Sequence, residues 1–194
     1  MKLHYMGRFD LDEKSLPHRD DIPDAIMFRE ASNTKELAII ANGIAIVLTI
    51  ACLIIAFVAA RQEIANKPIQ LFIGSVAMLL AMFPHELIHG ICFREDVYLY
   101  TNLKQGMLFV IGTETMSKGR FIFMSMLPNI IFGFIPFIIG LINPGLVALL
   151  FMGALAIGAG AGDYYNVFNA LTQVPHGAKV FLSGFHSYWF LPKE

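Results

Sequence analysis

The chain has 194 residues, 56% hydrophobic and 15% charged, with a mean hydropathy of +0.62 and a formal net charge of −1. This composition fits one domain with membrane-embedded segments and excludes an ordinary soluble globule. The near-neutral charge, with no basic block or stripe, excludes nucleic acid as a partner, and two cysteines within or beside apolar stretches exclude a disulfide framework.

Residues 1–36 are polar and acidic, with Asp10, Asp12, Glu13, Asp20, Asp21 and Asp24, and contain Pro17 and Pro23. Their apolar residues follow no helical period, so an extended segment without a cleavable signal is expected. Ser32, Asn33 and Thr34 are all acceptable N-caps for a helix starting near them. Leu37 to Ala60 carries no charge and predicts a first crossing, an uncleaved anchor closed by Arg61. A second crossing is predicted from Pro68 to Phe93, with Arg94 after its end.

Between Arg94 and Arg120 the pattern changes. Val97 to Tyr100 and Met107 to Ile111 are β-prone and flank Lys104-Gln105-Gly106, which predicts a hairpin. A third crossing, Phe121 to Ile142, contains Pro128 and Pro136 and should be kinked or broken. Asn143-Pro144-Gly145 makes a turn into a fourth crossing, Leu146 to Leu171. The remaining residues, 172–194, carry Phe181, Phe185, Tyr188, Trp189 and Phe190, aromatics that suit an interfacial tail.

The expected fold is therefore an all-α integral membrane protein with four transmembrane helices and a cytoplasmic β-hairpin between the second and third. Its expected parts are a cytoplasmic segment over 1–36, a four-helix transmembrane domain over 37–171 with the hairpin at 94–120, and the tail over 172–194. Twelve of the 14 Lys and Arg fall in the N-terminal segment, the hairpin loop and the tail, and only Arg61 and Lys67 lie between the first two crossings. The positive-inside rule then puts both termini in the cytoplasm.

His85-Glu86-Leu87-Ile88-His89 near the end of the second crossing is an HExxH sequence. Two histidines four apart on a helix share one face and can reach a single Zn2+, while the glutamate stands beside a metal-bound water and can take its proton. His85 lies eight residues before Phe93, about 12 Å at helical rise, inside the cytoplasmic leaflet. A catalytic zinc needs a third protein ligand. Asp163 is the only acid between Glu114 and Glu194 and falls at a similar depth in the fourth crossing, where an unpaired carboxylate would be costly. The small residues before it, Gly153 to Gly162, predict close helix approach. Asn166 and Asn169 come after Asp163 at spacings of three and six, and they and Asn129 are candidates for holding substrate.

HELIHG in the second crossing, Gly162-Asp163 late in the fourth and Leu16-Pro17-His18-Arg19 near the start together resemble the DUF3267 family of zincin membrane peptidases. That family is similar in plan to the site-2 proteases (M50-like), whose zinc is held by HExxH and a distant Asp. The resemblance implies that His85, His89 and Asp163 are metal ligands and Glu86 the catalytic base. One departure stands out: Ala161-Gly162-Asp163-Tyr164 replaces the Asn and Pro residues and Asp-Gly pair usual in site-2 proteases. The expected setting is a bacterial plasma membrane.

These features predict an intramembrane zinc metalloendopeptidase acting on membrane-embedded or membrane-adjacent protein or peptide segments. The Arg94–Arg120 hairpin offers strand pairing around Val97 to Tyr100. The alternative is a non-hydrolytic metal-binding membrane protein, such as a small metal transporter or regulatory partner. A transporter would show polar residues along a route, whereas here they cluster at one depth, and an intact Glu86 is superfluous in a ligand-only site. Cys92 reads as a small packed thiol, the ten methionines as packing, and His4, His18, His176 and His186 as surface residues.

Overall fold

A computed structural model describes residues 2–192. They divide into two compact units: one contains the described residues up to Glu30, 86–125 and those from Asn166 on, and the other contains 31–85 and 126–165.

The second unit is helical. Helix α1 (Thr34–Asn66) starts at Asn33, whose side chain accepts from the Glu36 amide, while Glu36 Oε2 accepts from the Ser32 amide and hydroxyl. This reciprocal cap explains why the helix begins before the charge-free run does. Helix α2 (Pro68–Ile91) comes directly after Lys67, with proline at a first position that tolerates its missing N–H. Helix α3 (Lys118–Asn129) continues through a π-turn (Ile130–Phe134) into α4 (Ile135–Ile142). The prolines thus do not break this span: Pro128 lies inside α3, Pro136 near the start of α4, and a wider turn between them carries the helix on.

The predicted fourth crossing is two helices, α5 (Val147–Ala159) and α6 (Ala161–Gln173), bent by 52°. Three helices, Thr34–Asn66, Pro68–Ile91 and Lys118–Ile142, are long and apolar enough to cross a membrane, and the bent pair makes up to a fourth. The expected fourth intact span is thus a bent pair, a broken span or a re-entrant loop by length and composition. The run Gly158 to Gly162, with three glycines in five residues, has little propensity to hold a helix together.

The core of this unit joins Cys52, Ala56, Ala60, Phe137, Leu150, Ala154 and Ile157. The backbones come very close: a Cβ on Gly153 would lie 2.4 Å from the Phe137 amide nitrogen, and one on Gly74 would lie 2.6 Å from the Ala148 carbonyl oxygen. Exposed faces carry large apolar side chains such as Val58 and Leu80, 78% and 72% exposed, which is compatible with lipid contact.

The first unit overturns the all-α expectation. A three-stranded sheet has the order β1-β3-β4, with β1 (Leu3–Arg8) parallel to β3 (Val97–Asn102) and β3 antiparallel to β4 (Met107–Ile111). The β3–β4 hairpin falls where its sequence predicts, turning through Leu103–Gln105 and a left-handed Gly106 with φ 65°. A second sheet orders β2 (Ile26–Met27), β7 (His186–Phe190), β6 (Lys179–Ser183) and β5 (Met116–Ser117). Aromatic residues of the tail are thus strand residues, a use of Tyr, Trp and Phe that shares its composition with an interfacial segment.

Scattered apolar residues of the N-terminal segment are anchors. Phe9 is 1% exposed and packs edge-on against Tyr100, Phe109 and Phe185, and Phe28 joins a core with Phe93, Val97, Phe121, Met124 and Val180.

Candidate metal centre

The last turns of α2 carry His85, Glu86 and His89, whose ligand-capable atoms lie within 4.8 Å of one another. The i, i+4 spacing on a continuous helix is sufficient cause. His89 is 8% exposed, and its Nδ1 lies 3.0 Å from the Met124 carbonyl oxygen. A carbonyl can only accept, so Nδ1 carries the proton and Nε2 presents the lone pair. This is how a ligating imidazole is ordinarily oriented.

In the helical unit, His85 Nε2 lies 3.2 Å from Asp163 Oδ2. Asp163 stands in the first turn of α6, where the helix dipole favours a carboxylate. Asn129 Nδ2 donates to the same Oδ2 at 2.7 Å, and Asn129 is held in turn by Gly160, on which a Cβ would lie 1.7 Å from its Oδ1. The break between α5 and α6 thus does two things: it makes Asp163 an N-terminal residue, and it lets Asn129 lie against a residue without a side chain.

This donor set fits zinc. Imidazole nitrogen and carboxylate oxygen are its usual ligands, and ligand atoms about 2.0–2.1 Å from a tetrahedral zinc are about 3.3 Å apart. The His85–Asp163 spacing, 3.2 Å, is close to that value.

Glu86 Oε2 accepts from the Val110 amide at 3.2 Å. Val110 belongs to β4, an edge strand, so its N–H faces away from β3. Alternation in an antiparallel ladder gives Leu108 the same outward orientation. In the stretch Val97 to Tyr100, by contrast, Tyr98 to Tyr100 are paired with β1 on one side and β4 on the other, so no further strand can add along them.

Beyond Ile91 the chain is held by charge. Glu114, 5% exposed, accepts from the Arg94 and Glu95 amides at 2.5 and 3.1 Å and pairs with Arg120, whose guanidinium also donates to the Cys92 carbonyl at 2.7 Å. Burial alone would raise the Glu114 carboxyl, but these donors hold it below the ordinary glutamate range. Sequence reasoning did not single out this group. The available signal was that Glu114 is the sole acid between Asp96 and Asp163.

The candidate asparagines separate. Asn129 touches Asp163. Asn169 is 3% exposed and accepts from Gln173 Nε2, which also donates to the Arg29 carbonyl, so it lies in a network tying α6 to the N-terminal segment. Asn166 is half-buried. Cys92 packs partly buried against the core of its unit, as a small thiol should, and His186 approaches Glu30 at 3.4 Å.

A helix-borne HExxH whose His85, Glu86 and His89 could hold a metal ion, with a carboxylate beside its first histidine, is the donor pattern of a zincin. Residues 78–179, just over half of the chain, match the model of the DUF3267 family, described as "Putative zincin peptidase", and the chain belongs to that family. No curated protein and no solved structure matches it.

Proposed function

We propose that the protein is an intramembrane zinc metalloendopeptidase with His85, His89 and Asp163 as ligands and Glu86 as the catalytic base. The observation that carries this reading is the 3.2 Å approach of Asp163 to His85, the first histidine of the HExxH motif, within the residues that match a family described as "Putative zincin peptidase". Bound zinc supplies Lewis acidity to water and to the scissile carbonyl. Glu86 takes the proton from water and returns it to the leaving amine. Asn129 keeps Asp163 aimed, and the Met124 carbonyl keeps His89 in the ligating tautomer.

The substrate in this reading is a membrane-spanning or membrane-adjacent segment that unwinds before cleavage, since a helix hides its own peptide bonds. An unwound segment pairs along the outer edge of β4, where the Leu108 and Val110 backbones face outward and Val110 already reaches Glu86. The distribution of Lys and Arg supports cytoplasmic termini and a site in the cytoplasmic leaflet of a plasma membrane. The chain then functions as an N-terminal segment, a transmembrane catalytic part and a C-terminal segment.

The test is Glu86→Gln. Wild type and variant should bind zinc equally, and cleavage of membrane substrates should fall about 10³-fold in the variant. Equal turnover would remove Glu86 as base, and zinc binding with no cleavage by the wild type would favour a non-hydrolytic metal-binding protein.

A further inference from the structure

The polar group after α2 is built around the backbone of that helix's end. The Arg120 guanidinium donates through Nε and Nη2 to the Cys92 carbonyl at 3.2 and 2.7 Å, and its Nη1 meets Glu114. Glu114 Oε2 collects the next two amides, Arg94 and Glu95. A cation thus caps the carbonyl just past the end of α2, in the sense the helix dipole favours, and the carboxylate satisfies the amides of the turn that follows.

Arg120 and Met124 are one turn apart on α3. Arg120 grips Cys92, three residues beyond His89, and the Met124 carbonyl accepts from His89 itself. Two attachments about 6 Å apart along α3 fix rotation as well as distance, so the carbonyl that orients the His89 ring is set by where Arg120 holds α3. The Leu16-Pro17-His18-Arg19 stretch supports the same group. Arg19 Nη1 donates to the Thr113 carbonyl at 3.1 Å and to Thr115 Oγ1 at 2.8 Å, clamping the residues on either side of Glu114, while its guanidinium lies over the Phe181 ring.

We propose that Arg120 and Glu114, buttressed by Arg19, are positioning residues that set the His89 imidazole for metal binding. The inference rests on His89 being a ligand, and it stands whether or not the bound metal cleaves peptides.

The experiment uses the full chain in detergent, with two readouts: zinc affinity by competition with a chelator, and hydrogen exchange of amides 88–95 in zinc-free protein. Arg120→Ala should weaken zinc about tenfold and speed exchange at 92–95, leaving the β6–β7 hairpin unchanged. Arg120→Lys should fall between, because an ammonium cannot serve the Cys92 carbonyl and Glu114 with the same fork. Arg19→Ala should weaken zinc about two- to threefold, an order-of-magnitude expectation for a more remote support. Folded Arg120→Ala with zinc affinity and local exchange within about twofold of wild type would overturn the proposal. If that variant does not fold, the same outcome in Arg120→Lys overturns it. Absence of zinc binding by the wild type would defeat the metal reading and, with it, the role assigned to His89.

Discussion

The two parts of α2 are held by opposite kinds of contact. Through residues 68–85 the helix relies on close backbone approach and shape: Gly74 leaves room for the Ala148 carbonyl, and Gln70 Oε1 accepts from the Ala148 amide. Its last turn and exit rely on charge: Arg120, Glu114 and the main-chain groups of residues 92–95. Shape complementarity tolerates small rotations at little energetic cost, whereas directed hydrogen bonds do not. The part that carries Glu86 and His89 is the part fixed by direction.

The apolar part should be the easier to destroy. Gly74→Val forces α2 and α5 apart and should destabilise the protein by about 3 kcal/mol, read as lower thermal stability in detergent, while surviving folded protein keeps its zinc affinity. A loss of affinity equal to that in Arg120→Ala would erase the distinction. Gly160→Ala gives a finer break. The new methyl displaces buried Asn129 from Asp163, and zinc affinity should fall about tenfold. Unchanged affinity would mean that Asn129 does not aim the carboxylate.

The smallest effect separates two buried glutamates by sign. Glu114 is held below the ordinary range, so its stabilisation is complete above the unfolded carboxylate pKa and is lost as pH falls through its folded value. Glu30 is pushed up by burial despite accepting from the Ser187 amide and approaching His186. Its penalty is absent in acid and sets in as pH rises through the carboxylate range. In unfolding measured against pH, Glu114→Gln should flatten the acid limb, and Glu30→Gln should relieve stability loss on the rising side. Identical profiles for the two variants would contradict the opposite environments.

Local patterns were legible in the sequence, and nonlocal pairings were not. The β3–β4 hairpin has a turn between two β-prone runs, and α1 and α2 have long charge-free stretches with cap residues at their starts. Asp163 could be singled out because an isolated acid in an apolar stretch needs a reason. The sheets were missed because β2 and β5 are two residues long and Leu3 pairs with Val97, distant in the chain. No periodic signal marks such pairings. The break in the fourth span was written as a run of small residues, but the same run also promises close helix packing, and composition does not choose between them. Arg120 was legible only as a loop charge, since nothing local tells that its partner is a carbonyl at the end of α2.

The bend at Gly160 bears on solvation. The Gly160 amide serves the Ala156 carbonyl and its own carbonyl takes the Asp163 and Tyr164 amides, so the bend satisfies part of its main chain, and the groups left over at any helix discontinuity need protein or water, since hydrocarbon offers no partner. Peptide hydrolysis consumes one water per bond. In the proposed peptidase, an interruption three residues before Asp163 would make its surroundings hospitable to that second reactant through main-chain polarity.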